Sequence, residues 1–503
     1  MAVTGSTAVS DFNRNIPAIA RDLPLIIQGG LGVAVSNWRL ARAVSSLGHL
    51  GVVSGTAIDQ VMVRRLQDGD PGGYTRQAFD HFPEPEIGER IWKRYYMPGG
   101  KPSGEPYALA PAQAKNGSRE FCETCIVANF VEVHLARQGH SNPVGINYME
   151  KLQAPHLPSI YGAMLAGVSY MLMGAGIPMK IPGVLDRFSR REAADYPLHV
   201  TGATADDDTL MHFDPEEFLA APLPALTRPR FLAIVSSSVL AATLARKANG
   251  KVDGFIIEGP TAGGHSAPPR GQLQLSAAGE PIYGERDRVD LAKLRALGLP
   301  FWLAGGYGSA QALRAALDEG AAGIQVGTAF AFCDESGMRD DYKRAMIDRI
   351  AHGTIRVFTD PLASPTGFPF KIASLEGTIS EKDVFTARPR ACDLGYLRQA
   401  YRAADGRVGF RCPAEPVDAY LSKGGEERDT EHRKCICNAL LAAIGHPQIR
   451  GTYVEPGVIT AGDDLAGIGR FLEPGTRSYR AADVISHVLA GVDCQVRTQE
   501  ALR

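Results

Sequence analysis

Eight short apolar runs recur along the chain, several ending in Gly, Ser or Asn. They are LPLIIQGG (23–30), HLGVVSG (49–55), PVGINYM (143–149), GVSYMLMGAGIP (167–178), FLAIVSS (231–237), VDGFIIEG (252–259), PFWLAGG (300–306) and AGIQVGT (322–328). Short, β-branched runs without polar alternation suit strands buried on both faces. Stretches with helical spacing, such as SSVLAATLARKANG (237–250) and SAQALRAALDEGA (309–321), separate several of them. Strand–helix alternation predicts a parallel sheet covered by helices. Eight units point to a closed (β/α)8 TIM barrel; an open doubly wound sheet is the alternative.

The rhythm breaks twice. Residues from about 56 to 120 are polar and aromatic, with DGDPGGY (68–74) and MPGGKPSGEP (97–106) as loop punctuation, and read as an insertion. From about 390 the texture becomes polar and irregular. The expected division is therefore a barrel with its insertion over 1–390 and a cysteine-containing cap subdomain over 391–503.

Composition narrows the function classes. The 503 residues carry 53 Lys plus Arg and 55 Asp plus Glu, a net charge of −2, which argues against a nucleic-acid or polyanion binder. Apolar residues make up 45%, as in a globular protein with a sizeable core. No run is long and apolar enough to span a bilayer, and the start MAVTGSTAVSDFNRNIPAIARD lacks a secretory pattern, so the expected location is the cytoplasm. Eight cysteines are too sparse for a disulfide scaffold.

The chemistry gathers just after the strands, the face that carries catalysis in a barrel. WLAGGYGSAQALRAALDEGAAGIQVGTAF (302–330) holds Gly305-Gly306 before one helix and Gly327-Thr328 after the next strand. As strands seven and eight, these corners would turn bare amides and a helix N-terminus toward a phosphate, with the Thr328 hydroxyl as a further donor. Tight strand–helix turns would also call for these glycines. Ser236 to Ser238, after the fifth strand, fit a helix cap as well as a site.

Taken together, QGG (28–30), IN (146–147), EGPTAGGH (258–265), AGGYGS (304–309), QVGTAF (325–330) and CDES (333–336) resemble the nitronate monooxygenase family, formerly 2-nitropropane dioxygenase-like and related to FMN-dependent enoyl reductases. The resemblance spans about residues 20–345. It implies an FMN-binding TIM barrel in which Gly306, Gln325, Gly327 and Thr328 hold the phosphate end and Gly29, Gly30 and Asn147 lie near the isoalloxazine. Gly305 belongs to the same phosphate corner. It implies that Gly263 and Gly264 admit the ring and that His265 stands over the substrate as a base. In this family the histidine takes a proton from carbon beside a nitro group, and O₂ completes the oxidation. In the enoyl reductases it stands beside a flavin reduced by NAD(P)H, and an acyl carrier protein brings the substrate. A non-redox enzyme using the glycine corners for a substrate phosphate is a third reading. The chain departs from the family at Thr261, where a glutamate is common, and at SAPPR after the histidine, where many members have glycine.

The cysteines raise a separate expectation. FCETC (Cys122, Cys125) and KCIC (Cys435, Cys437), with Cys412 between them in sequence, could supply thiolates for zinc or an iron–sulfur cluster, form a thiol–disulfide pair, or pack as small apolar residues. Cys333 and Cys494 have no partner spacing, and the aspartates of ATADDDTLMHFDPEEF (203–218) read as a solvated turn.

Overall fold

A computed structural model describes residues 23–220 and 224–492. All eight apolar runs form strands of one sheet: β1 (Ile26–Gln28), β2 (Gly51–Ser54), β3 (Val144–Met149), β4 (Tyr170–Gly174), β5 (Arg230–Val235), β6 (Gly254–Glu258), β7 (Phe301–Ala304) and β8 (Gly323–Val326). Each pairs in parallel with its sequence neighbour from β2 to β8, and β8 pairs with β1. The remaining seam is closed by backbone bonds from Gln28 N to Leu50 O (2.9 Å) and from Leu50 N to Ile26 O (3.1 Å). The Gln28 amide adds to the seam by accepting from Val52 N at 3.0 Å. The sheet is thus a (β/α)8 TIM barrel.

Its interior is filled by Ile27, Val52, Leu172, Leu232, Ile256 and Trp302, all essentially inaccessible. The Trp302 indole N–H donates to the Pro24 carbonyl (2.7 Å), which satisfies the one polar atom that ring buries. A larger apolar layer lies between strands and outer helices. Those helices start where the sequence offers side-chain caps. Asn37, Ser237, Asp290 and Ser309 each accept a backbone N–H from three residues on. Ser237 therefore has a structural duty.

The insertion after β2 is helical: Ile58–Gln67, Tyr74–Phe79 and Pro85–Tyr95, leading into the long helix Arg119–Ala136. That helix lies hard against His156–Leu165. A Cβ on Gly162 would come 2.1 Å from the Ile126 carbonyl oxygen, so the close approach requires glycine. Beyond residue 390 the chain does not stand apart. It pairs Gln399–Arg402 with Val200–Thr201, runs Ile436–Ala443 across the mouth, and returns at Ala373–Ile459. Its last helix, Ala481–Leu489, packs against Ala310–Asp318 and Trp38–Ser46, filling the eighth place in the outer ring.

Candidate functional site

The C-terminal ends of the strands surround a cavity of about 1380 Å³, open mouth included. The residues named for the flavin and the base all line it: Gly29, Gly30, Asn147, Gly263, Gly264, His265, Gly305, Gly306, Gln325, Gly327 and Thr328. Five separate loops therefore converge on one space.

On one side β1 gives way to Gly29 and Gly30. A Cβ on Gly30 would sit 2.5 Å from Asn147 Cβ, and one on Gly29 would sit 3.3 Å from Gln325 Cγ. These glycines let the β1 loop pass two amide side chains. Asn147 Oδ1 and Gln325 Oε1 are buried and accept no hydrogen bond. An acceptor left so costs about 1–3 kcal/mol. Two of them on one cavity mark a place for a ligand carrying N–H donors.

After β7, the strand paired beside Gln325, Gly305 and Gly306 take positive φ (97° and 77°), a backbone that side chains resist, and Ser309 starts the helix Ala310–Asp318. A Cβ on Gly306 would meet nothing nearer than Thr261 Oγ1 at 3.8 Å, so the space over it is free. Thr328 Oγ1 accepts from Gly462 N at 2.8 Å, which leaves its proton available to a ligand. Asp464 reaches the same corner, its Oδ2 3.6 Å from where a Gly308 Cβ would stand. Burial raises its pKa although Arg470 pulls the other way, which favours the neutral acid beside an incoming anion.

The two glycines before the histidine have different reasons. A Cβ on Gly263 would lie 2.7 Å from the Ala461 carbonyl carbon, so the chain's own tail uses that room. Gly264 has φ 83° and its Cβ direction is empty; its N–H donates to Thr460 Oγ1 (2.8 Å). His265 is then pinned. Its Nε2 lies 2.7 Å from Ser364 Oγ, and its ring meets Phe370 at a steep angle with centroids 4.8 Å apart. Burial, helped by the Lys151 ammonium, lowers its pKa to about 4, so the imidazole is neutral near pH 7.

Glu258, the last residue of β6 and the only acid in the EGPTAGGH motif, lines the same cavity. Burial pushes its carboxyl up to about 8, with no hydrogen-bonding partner among the described residues. An uncharged acid and an uncharged imidazole thus share one wall. A second cavity of about 900 Å³ continues outward from Glu258 and His265 past Ile177, Leu240 and Phe368 to Arg270. Sequence reasoning did not single out Glu258, nor the tail residues Tyr396, Cys437, Thr460 and Asp464 that close the cavity.

Residues 221–359 match the family model described as nitronate monooxygenase. Over that segment the chain is similar to the family. The matched segment carries β5 to β8 with the histidine and both glycine corners. Among curated proteins, the chain is 35% identical over 121 residues to a nitronate monooxygenase of Pseudomonas aeruginosa, 23% of this chain and 32% of that one. It is 33% identical over 124 residues to (3aS,4S,5R,7aS)-5-hydroxy-7a-methyl-1-oxo-octahydro-1H-indene-4-carboxyl-CoA dehydrogenase of Mycobacterium tuberculosis, 24% of this chain and 32% of that one. These matches span about a third of each relative's length. A looser likeness links the whole chain to nitroalkane oxidase from Streptomyces ansochromogenes, with TM-score 0.47, 16% identity, and 94% and 97% of the two chains covered.

The cysteine expectation needs correction. Among the described residues no group of three or more His, Cys, Asp or Glu side chains is arranged to hold a metal ion. Cys122 and Cys125 lie on the inserted helix, and the ionisable groups beside Cys125 are Asp59 and Cys122. Cys412, Cys435 and Cys437 gather instead with Cys392 under the tail. The two motifs do not combine into one zinc or iron–sulfur site. Cys333 is buried, its S–H donating to the Phe330 carbonyl (3.1 Å); Cys494 lies outside the described residues. No helix among the described residues is long and apolar enough to cross a membrane.

Proposed function

We propose that this chain is an FMN-dependent oxidoreductase that handles a substrate proton at His265. One observation carries the reading: five loops meet on a cavity that offers both a helix-capped glycine corner and two unpaired amide oxygens. FMN carries the matching groups, an anionic tail and a flat ring edge with an N–H donor. The residues fit. The amides of residues 306–308 and the Thr328 hydroxyl would take the phosphate; Asn147 would accept from the ring, and so would Gln325, whose unpaired oxygen suits a donor better than the phosphate role the resemblance gave it. The flavin, when bound, supplies a two-electron carrier that can be reoxidised by O₂ or reduced by NAD(P)H.

The chain's own part is proton handling and exclusion of water. Ser364 and Phe370 hold the His265 ring in one orientation. Its burial keeps it deprotonated, so a ring nitrogen can accept a proton from an acidic carbon. Glu258 keeps its proton near pH 7 and is placed to return one. The tail residues Tyr396, Leu397 and Leu440 shield the cavity from bulk water. A nitroalkane has an acidic carbon of this kind, a nitronate is the anion left once that proton is gone, and either fits the main cavity, so oxidation by O₂ is the leading activity.

A specific feature favours a second reading. The side cavity toward Arg270 is apolar along Ile177, Ile234 and Leu240, longer than a small nitroalkane needs. It suits an acyl chain, and with it NAD(P)H-linked reduction of an enoyl thioester delivered by an acyl carrier protein. Purified protein with an FMN absorption band tests the common core; a colourless protein that does not take up added FMN rejects it. Anaerobic NADPH then separates the readings. Fast bleaching of the flavin supports the reductase, whereas bleaching only by a nitronate supports the oxidase.

A further inference from the structure

The tail brings a second reactive group to the cavity wall. Cys435 and Cys437 are separated by one residue at the start of the helix Ile436–Ala443, with their sulfurs 3.9 Å apart. Both are buried, at 3% and 7% exposure, and Cys437 lines the main cavity together with Ile436 and Leu440. Cys435 is the residue before the first helical turn, where free backbone N–H groups favour negative charge. The Asn438 amide donates to its sulfur at 3.5 Å, and the Arg388 guanidinium faces it while bonded to Glu455 (2.5 Å). The Cys437 S–H points to the same sulfur and, with Arg388, lowers the Cys435 pKa; the Cys437 thiol is raised in return, its charge opposed by Cys435, Cys392 and Cys412. The pair therefore shares one negative charge. Cys333 and Cys125, by contrast, are buried thiols pushed well up.

We propose that Cys435 and Cys437 form a reactive dithiol that reduces hydroperoxides entering the cavity and closes to a Cys435–Cys437 disulfide. The Cys437 sulfur, which faces the cavity, attacks the nearer peroxide oxygen while its proton passes to Cys435. The O–O bond breaks, and the departing oxygen takes a proton from solvent and leaves as an alcohol, or as water from hydrogen peroxide. Cys437 is then a sulfenic acid. The Cys435 sulfur attacks it, the S–O bond breaks, and the hydroxyl leaves as water with the Cys435 proton. The two thiols are oxidised by two electrons and the peroxide is reduced by two. A thiol reductant restores the pair. Closing the sulfurs from 3.9 Å to bonding distance draws in the first turn of the helix, and with it Ile436 and Leu440 on the cavity wall. This chemistry does not depend on which redox partner the flavin reading requires.

The sequence supplies a convenient assay. Trypsin cuts after Lys434 and after Arg450, so both cysteines fall in one peptide, CICNALLAAIGHPQIR. The full chain is reduced, freed of reductant, exposed to limiting hydrogen peroxide, and quenched in denaturant with N-ethylmaleimide. The expected result is that this peptide loses both labels together and is lighter by two hydrogens. It should do so about tenfold or more faster than the Cys122 or Cys333 peptides lose theirs, and dithiothreitol should reverse it. In Cys437→Ser the Cys435 label should survive doses that close the wild-type pair. Retention of both labels in the wild type while other cysteines oxidise overturns the proposal. So does irreversible oxidation of one cysteine without a disulfide, or a Cys437 bond to Cys412 or Cys392.

Discussion

Glu258→Gln isolates the cost of a buried acid with no partner. The substitution keeps the side chain's shape and removes its titration. In the fold the carboxyl titrates at about 8, because burial disfavours its charge. In the unfolded chain a glutamate titrates at about 4.3. Between those values the folded state holds more protons than the unfolded state, so wild-type stability falls as pH rises through that window and is fully present only below it. At about 1.4 kcal/mol per pH unit, the full shift would amount to nearly ~4 kcal/mol between about pH 5 and about pH 8. Part of the Glu258 surface faces the cavity, where water screens it, so about 2 kcal/mol is the realistic difference. The assay is urea unfolding of wild type and variant, each with the cavity free of added ligand, at those two pH values. Wild type should lose about 2 kcal/mol more than the variant on going to the higher pH. Parallel losses in the two proteins would refute the assignment of Glu258 as a neutral, unpaired acid.

Four further outcomes follow from the same geometry. His265→Ala should keep FMN uptake but lose about a hundredfold or more in proton-dependent turnover. Wild-type activity on the acid side should hold until pH approaches about 4 rather than the ordinary histidine value, because the depressed imidazole stays neutral down to there; a rate profile breaking near 6.5 would contradict this. Gly306→Val should abolish FMN uptake, measured by flavin absorbance of the reconstituted protein, since its branched side chain enters the open space above the corner; a fully yellow variant would contradict the phosphate assignment. Arg388→Ala should cost about 3–5 kcal/mol in urea unfolding, because it leaves the fully buried Glu455 carboxyl with only the Tyr453 hydroxyl as partner; a loss below about 1 kcal/mol would mean that water reaches that pair.

The barrel was legible because the strands are short, largely apolar runs, several of them closed by a small residue, a pattern that local physics alone produces. The convergence of the five loops was legible for a related reason. Gly30 and Gly305 must stay bare to pass Asn147 and Thr261, so the constraint shows in the residue type itself. The insertion was less transparent. Arg119–Ala136 is buried on most of its surface between other helices, so it lacks a clean polar face to betray its period. The tail's part in the site was illegible, since Cys437 and Asn147 come to line one cavity only through the path of the whole chain. For the same reason FCETC and KCIC seemed a natural ligand set, whereas Cys392, with no motif around it, proved to be the neighbour of Cys437. The reading of Gly263 also shifted. The bare position serves the backbone at Ala461–Gly462, a partner almost two hundred residues away in sequence.

The outer ring is completed by Ala481–Leu489 lodged between helices from opposite ends of the barrel sequence. During synthesis, all eight strands leave the ribosome long before that helix does. The nascent barrel must wait with one flank bare, its apolar layer presented to chaperones or to other nascent chains. A stop codon placed just after β8 would therefore release a sticky, half-clad product rather than a trimmed enzyme.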